Sequence, residues 1–195
     1  MKLKHARFGS IDRESNFLVD CVGEHTGKIQ LLKDDNITKE TLNASTARST
    51  KFAVLVMHTE QKAQASRLFA TPLVFSIDEA KGLEYENIVL YNFVNDESSA
   101  FKQISQGVKQ SDLDVDSLSY SRAKDKSDKS LETYKFYINA LYVAVTRATT
   151  NLYVVEGNHP PPSSSIIGFR AIQWGYRDRK TSLIGRGVAK RSRQT

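Results

Sequence analysis

The clearest fold signal of the chain is the sequence Leu73-Val-Phe-Ser-Ile-Asp-Glu-Ala-Lys-Gly-Leu-Glu-Tyr-Glu-Asn-Ile-Val-Leu-Tyr-Asn-Phe-Val94. Its two ends, 73–77 and 88–94, are short and mostly apolar, which is typical of buried parallel strands. Between them lies a polar loop, 78–84, that contains a Lys-Gly pair. Polar loops that follow buried strands are common ligand positions in α/β proteins. The stretch therefore predicts an α/β domain with a candidate ligand loop.

Three interpretations of this loop compete. Asp78-Glu79 after an apolar run is typical of the acidic box that holds magnesium and polarises water in a nucleotide hydrolase. A second interpretation uses the whole stretch, including the Lys81-Gly-Leu-Glu84 that follows. A third takes the loop as a solvated turn between two strands, since short motifs often match by chance. The rest of the chain must decide among them.

Composition indicates a soluble globular protein. The chain has 195 residues, of which 39% are hydrophobic and 26% charged, enough for one domain with a core. It contains no run of 18 apolar residues, and no apolar segment follows the basic start, so we expect neither a membrane span nor a secretory signal. A single cysteine, Cys21, excludes an internal disulfide and a multi-cysteine zinc site. We expect a cytoplasmic protein without a metal cluster.

The basic charge is concentrated at the C-terminus. Residues 158–195 contain eight Lys or Arg and one acid, a net charge of +7, whereas the whole chain carries +6. The remainder is therefore close to neutral. A basic tail either binds nucleic acid electrostatically or is simply a solvated end. The sequence leaves both interpretations open.

Residues 1–51 form a lead-in that is possibly part of the same domain. Phe17–Val22 and Lys28–Leu32 are mostly apolar runs that predict a β-hairpin with a longer loop. Residues 34–51 predict a short helix and a loop. The Gly23–Lys28 segment is not a phosphate loop, because only three residues separate its glycines and Ile29 follows the lysine.

Residues 52–157 alternate between strand and helix patterns. Beside the opening stretch, the expected elements are a strand at 52–57, a helix from Thr59 or Glu60 to Phe69, a helix at 131–147 and a strand at 152–155. Residues 95–130 are the most polar part and predict an exposed insertion or a partly disordered loop. The Pro/Ser-rich and then basic segment 158–195 is expected to be poorly ordered. This alternation predicts a parallel sheet flanked by helices.

Two segments together resemble a known family. Phe75-Ser-Ile-Asp-Glu-Ala-Lys-Gly-Leu-Glu-Tyr85, with Ile88-Val-Leu90 after it, resembles motif V of the UvrD/Rep-type superfamily 1 helicases. Leu141-Tyr-Val-Ala-Val-Thr-Arg-Ala148, followed by Asn151-Leu-Tyr-Val-Val155, resembles motif VI of the same family. The two motifs occur in the family's order. The resemblance covers residues 52–157, about half of the chain.

The resemblance implies the second RecA-like motor domain of an ATP-dependent DNA helicase. Arg147 matches the arginine that reaches the γ-phosphate of ATP, a role suited to the forked donors of a guanidinium. Glu84 matches the motif V glutamate near the nucleotide, where it accepts from a ribose hydroxyl. Gly82 lets the backbone approach the nucleotide.

The resemblance also implies contacts with single-stranded or partly duplex DNA. Ser76 and Asp78 match positions that face the DNA strand, although many relatives carry histidine where this chain has Asp78. Thr146 either supplies a hydroxyl contact or ends its helix. Purely structural alternatives remain: Arg147 interacts with the last carbonyls of its helix, and Glu84 forms a surface ion pair with Lys81.

The sequence lacks the first half of such a motor. It has no phosphate loop and no separate acidic box, since Asp34-Asp35 follows too short and interrupted a run to be a buried strand end. ATP with Mg²⁺ therefore requires a first RecA-like domain, encoded upstream or in another chain, which holds the metal. We expect this chain to be inactive by itself. The alternatives are a catalytically inactive nucleic-acid or protein binding module and a truncated helicase remnant.

Overall fold

A computed structural model describes residues 3, 4, 6, 27–113 and 132–157. The strands are β1 (Lys28–Lys33), β2 (Phe52–Val56), β3 (Val74–Ser76), β4 (Tyr85–Tyr91) and β5 (Ala148–Glu156). The helices are α1 (Asn36–Thr46), α2 (Lys62–Leu68), α3 (Ser98–Ser105), α4 (Gln110–Leu113) and α5 (Glu132–Thr146), and a 3₁₀ turn (Thr59–Gln61) precedes α2.

The five strands form one parallel sheet in the order β1-β5-β4-β2-β3. β4 is central, and its residues 87–91 are all buried, as expected for a parallel strand covered on both faces. The chain path reverses between β2 and β4, because β2 leads outward to β3 whereas β4 leads back to β5. The α/β fold predicted from the sequence, a parallel sheet flanked by helices, is thus confirmed.

Alternate residues of each strand enter two separate cores, because successive side chains of a strand point to opposite faces. Leu55 and Leu90 pack with the inward residues of α3, α4 and α5. Val54 and Val89 pack on the opposite face with Leu42 of α1 and with α2. The sheet is therefore sandwiched between two helical layers, and the ends of its strands form two polar edges.

The predicted elements of residues 52–157 are present, with shifted ends. The strand expected at 88–94 begins earlier, at Tyr85, and ends at Tyr91. The helix expected at 131–147 is α5, and the strand at 152–155 lies within the longer β5. The helix expected from Thr59 or Glu60 starts as a 3₁₀ turn and ends at Leu68.

The polar segment 95–130 differs from the expected insertion in its first part. Ser98–Ser105 is helix α3, whose Phe101 and Ile104 are buried in the core. The few apolar residues of this segment recur at helical spacing, and the sequence interpretation gave them too little weight. Residues 114–130 lie outside the described part of the chain, as do the tail 158–195 and the Phe17–Val22 arm of the expected hairpin.

Residues 27–51 of the lead-in are part of the same sheet domain as β2 to β5. Lys28–Lys33 is the edge strand β1, and it pairs in parallel with β5. Helix α1 follows, and the Asp35 side chain caps it by accepting from the N–H of Thr38 at 2.9 Å. Asp34 follows β1, which has exposed and half-buried positions only, so the expectation that its run is not a buried strand end is confirmed.

Candidate functional site

Arg147 lies at the amino edge of the sheet, which is the side on which the parallel strands begin. The side on which they end is the carboxyl edge. Arg147 is the single residue between the end of α5 and the start of β5, so the sharp turn from helix to strand places it at the amino edge. Its Nε donates to the Val143 carbonyl at 3.2 Å, and Nη1 donates to the Leu83 carbonyl at 3.2 Å. Its Nη2 donates to the Thr146 hydroxyl at 3.3 Å. The guanidinium is thus held by neutral oxygens.

The loop between β3 and β4 brings its far end to the same place. The loop turns at Gly82, whose φ is +83°, and the turn closes with a bond from the Leu83 N–H to the Ala80 carbonyl at 3.1 Å. The Tyr85 N–H then donates to the Arg147 carbonyl at 3.0 Å. Two segments about sixty residues apart in sequence therefore form one hydrogen-bonded unit.

The charges at this edge leave the arginine without a neutralising partner. In the described parts of the chain, no ion pair involves Arg147. Glu84 is exposed beside Leu83, and Lys51 pairs with Glu86 at 2.8 Å on the surface nearby. A half-buried guanidinium without a carboxylate partner is able to donate to anionic oxygens such as those of a phosphate.

Gly82 leaves space beside that guanidinium. A Cβ built at Gly82 would meet no atom within 4 Å, so the backbone there is open to solvent or to a ligand. Gly82, Glu84 and Arg147, the three predicted nucleotide contacts, therefore lie in one place. These residues fit the ribose and phosphate parts of a nucleotide. They offer only one carboxylate, and no group of three potential metal ligands occurs among the described residues.

The predicted DNA contacts are divided between the two edges. Ser76 and Asp78 lie at the carboxyl end of β3, whereas Thr146 lies beside the Arg147 guanidinium at the amino edge. The Thr146 hydroxyl donates to the Val143 carbonyl at 2.9 Å, which is also how a threonine ends a helix. Both roles proposed for Thr146 from the sequence are compatible with this placement.

Ser76 is enclosed and Asp78 is open. Ser76 is 1% exposed, and both its N–H and its hydroxyl donate to the Glu79 carboxylate, at 2.9 and 3.3 Å. Lys62 also donates to that carboxylate at 2.7 Å and, with the Ser76 N–H, lowers the pKa of Glu79. Asp78 is exposed and pairs with Lys81 at 3.0 Å. Asp78 is therefore more accessible than Ser76, and the neighbouring Glu79 is exposed as well.

The carboxyl edge carries an acidic network that the sequence did not indicate as a site. Glu156, at the end of β5, is 4% exposed and accepts from the N–H groups of Val94 and Asn95 at 3.0 and 2.9 Å. Burial raises the pKa of Glu156 to about 7, although those two bonds act in the opposite direction. A single acid at the end of an apolar run was the only sequence signal.

Asp34 lies in the same network with three donors. It accepts from Lys39 at 2.8 Å, from the Tyr91 hydroxyl at 3.0 Å and from the Asn92 amide at 3.1 Å. Burial by itself would raise the pKa of Asp34, but these hydrogen bonds outweigh it and the pKa is lowered. Burial and Asp34 together raise the pKa of the Tyr91 hydroxyl.

At the carboxyl ends of β2 and β4 the polar groups are paired with each other. His58 contacts Glu97 at 3.0 Å, and Gln61 donates to Asp96 at 3.0 Å. The exposed Phe136 ring stacks on His58 with centroids 6.2 Å apart. Burial and the nearby Glu97 raise the pKa of Asp96. Open parallel sheets commonly bind ligands at such a reversal point, yet here the chain's own side chains occupy the hydrogen-bonding groups.

Fold and site together define a parallel α/β domain whose amino edge carries an arginine without an ion-pair partner in the described part of the chain. No protein-family model matches the chain. The chain is similar to TPR and ankyrin repeat-containing protein 1 of Homo sapiens, with 28% identity over 120 residues. The match spans 54% of this chain and 4% of the human protein, too little to show a family. In the described residues, no helix is long and apolar enough to cross a membrane.

Proposed function

We propose that this chain is the second RecA-like motor domain of an ATP-dependent DNA helicase of the UvrD/Rep type. In this proposal it acts in the cytoplasm and completes the ATP site of a first RecA-like domain encoded upstream or in another chain. One observation carries the proposal: the Arg147 guanidinium donates to the Leu83 carbonyl at 3.2 Å. That bond joins the two segments that resemble motifs V and VI.

The chemistry assigned to Arg147 follows from its charge and its surroundings. Phosphoryl transfer spreads negative charge over the γ-phosphate oxygens, and a forked guanidinium from a facing domain offsets that charge. Arg147 has neutral oxygen partners, so it does not have to leave a carboxylate to reach a phosphate. Mg²⁺, held by the first domain, would neutralise β- and γ-phosphate oxygens.

The remaining residues of the amino edge would hold the nucleotide. The exposed Glu84 carboxylate is an acceptor for a ribose hydroxyl, and the open backbone at Gly82 permits close approach. At the opposite end of the same loop, Asp78 is the exposed member of the two predicted DNA contacts at the end of β3. Closure of the two domains on ATP would then be coupled to DNA through the loop 77–84.

The test is the DNA-stimulated ATPase activity of this chain combined with its phosphate-loop domain. That domain is sought in the reading frame upstream of Met1 and among proteins that copurify with the chain. Arg147→Ala should lower kcat about 10³-fold, the lower end of the range for arginine fingers. The matched control is Arg67→Ala, because Arg67 is an exposed arginine on α2, and it should leave kcat unchanged.

Two outcomes would contradict the proposal. Unchanged turnover in Arg147→Ala would remove the assigned role of the arginine. If this chain alone hydrolyses ATP and Arg147→Ala abolishes that turnover, the first RecA-like domain is not required.

The second candidate function is a nucleic-acid or protein binding module without catalysis, favoured by the net +7 charge of residues 158–195. Deleting 158–195 separates the two candidates. If salt-dependent DNA binding disappears with the tail, the tail and not the sheet edge is the DNA site, because phosphate contacts give the salt dependence.

A further inference from the structure

Gly82 precedes Leu83, whose carbonyl accepts a hydrogen bond from the Arg147 side chain. Its φ of +83° lies in the left-handed region, which glycine adopts at little cost and other residues rarely adopt. The peptide after Gly82 carries the Leu83 N–H, and the peptide after that carries the Leu83 carbonyl, so the Gly82 backbone helps to set where Leu83 lies. The Leu83 carbonyl is the acceptor for Arg147 Nη1 at 3.2 Å.

We propose that Gly82 is a positioning residue for Arg147, acting through the Leu83 carbonyl. This inference rests on the proposed function, since it concerns how the arginine is aimed at a phosphate. It assigns Gly82 a role besides the close backbone approach expected from the sequence. Gly82 would set the position of the guanidinium even before a nucleotide arrives.

The bonds around Leu83 make that position well defined. The Leu83 N–H donates to the Ala80 carbonyl at 3.1 Å, and two residues on the Tyr85 N–H donates to the Arg147 carbonyl at 3.0 Å. The loop is therefore fixed on both sides of the carbonyl that Arg147 contacts. A change in the Gly82 backbone cannot be absorbed without moving one of these bonds.

The same geometry leaves donors for a ligand. Nε, Nη1 and Nη2 each use one N–H on Val143, Leu83 and Thr146 respectively. Each terminal nitrogen of a guanidinium carries a second N–H. The arginine is thus held in place by one set of donors while the second N–H groups of Nη1 and Nη2 are available to phosphate oxygens.

Gly107 provides a matched control within the same chain. Its φ is +77°, and a Cβ there would also meet no atom within 4 Å. It follows α3 and is not bonded to Arg147. Gly82→Ala and Gly107→Ala therefore impose the same kind of backbone strain without a steric clash, and only the first is expected to move the arginine.

The first experiment uses this chain alone and needs no nucleotide. The ¹⁵N NMR signal of the Arg147 Nε–H reports the bond to Val143, and Arg147→Lys assigns it. We expect Gly82→Ala to shift that signal and speed its exchange with water, and Gly107→Ala to leave it unchanged. Gly82→Asn should lie near the wild type, because asparagine tolerates positive φ better than alanine. An Nε–H signal that is the same in Gly82→Ala and the wild type would overturn the inference.

The second experiment measures ATPase kinetics in the assembled motor. Gly82→Ala should lower kcat about tenfold to a hundredfold, as small displacements of catalytic groups do, with a smaller change in KM. Gly82→Asn should restore most of the activity, and Gly107→Ala should match the wild type. If Arg147→Ala abolishes turnover but Gly82→Ala does not affect it, the positioning role is wrong and the proposed function stands. If Arg147→Ala has no effect, the proposed function itself fails.

Discussion

At the amino edge of the sheet, Arg147 is held by carbonyl and hydroxyl oxygens, whereas at the carboxyl edge Glu156 and Asp34 are held by N–H and O–H donors of the same chain. Among the described residues, Arg147 has no ion-pair partner. The carboxyl-edge acids have most of their hydrogen-bonding capacity used internally.

This difference separates two tasks within one sheet. Open parallel sheets usually bind ligands beyond the carboxyl ends of their strands, but here the polar side chains that follow β2 and β4 hydrogen-bond to one another. We infer that the acidic network of Glu156 and Asp34 mainly stabilises the fold, whereas the amino edge carries the proposed nucleotide contacts. Such a division suits a domain that completes a site built largely by another domain.

The largest expected contrast in stability is between Glu156→Ala and Arg147→Ala. Removing the Glu156 carboxylate removes the bond accepted from the buried Val94 N–H and the bond accepted from the half-buried Asn95 N–H, which we expect to cost about 4 kcal/mol. Removing the half-buried Arg147 side chain should cost less than about 1 kcal/mol. Urea denaturation at pH 6 measures both. Equal losses in the two variants would break the comparison.

The next contrast concerns pH. Because the folded state keeps the Glu156 proton up to about pH 7 and the unfolded chain loses it near pH 4.5, raising the pH between these values favours unfolding. Glu156→Gln cannot titrate, so the wild type should lose about 3 kcal/mol relative to this variant across that window, with a constant difference above it. Chemical denaturation at a series of pH values provides the measurement.

Asp34 provides a control, because its effect on the pH dependence of stability has the opposite sign. Its pKa is lowered in the folded state, so its contribution to stability is present above the unfolded value of 3.8 and is lost as the pH falls through the folded pKa. Asp34→Asn should therefore change the pH dependence only in acid. A Glu156→Gln variant whose stability follows the wild-type pH curve would contradict the buried, protonated carboxyl.

The smallest expected effect lies at the exposed end of the loop. Asp78 and Lys81 form an ion pair with both side chains more than two-thirds exposed, at 69% and 68%. Asp78→Asn should change the free energy of unfolding by only about 0.3 kcal/mol, and added salt should remove the difference. Thermal unfolding at low and at high salt tests this, with Lys81→Gln as the reciprocal variant. A loss of several kcal/mol would show that Asp78 supports the fold.

The sequence predicted secondary structure best in elements that have an unbroken buried run or stripe of residues. The apolar runs of β2 and β4 mark central parallel strands because both faces are covered, and the periodic stripe of α5 marks a helix against the sheet. β1 was harder to identify as part of the sheet, since it is an edge strand with exposed and half-buried positions. α3 was missed because two large apolar residues, Phe101 and Ile104, suffice to anchor it.

The sequence proposed which residues form the candidate site, but it did not contain their arrangement in space. The motif resemblance selected Gly82, Glu84 and Arg147, and the structure brings them together at one edge. The separation of Ser76 and Asp78 from Thr146 depends on the path of the loop 77–84 across the sheet, which no local pattern contains. The Glu156 network depends on contacts between residues more than sixty positions apart, as with the Val94 N–H.

The parallel pairing of β1 with β5 has a consequence for the order in which the chain can fold. Lys28 and Asn151 face each other across a separation of 123 residues. Such distant partners raise contact order and slow folding. On the ribosome, β1 is synthesised long before β5. Until β5 is made, the backbone groups of β1 that pair with β5 have no strand partner. The lysines at both its ends, Lys28 and Lys33, are the kind of residue that discourages strand-to-strand association between nascent chains.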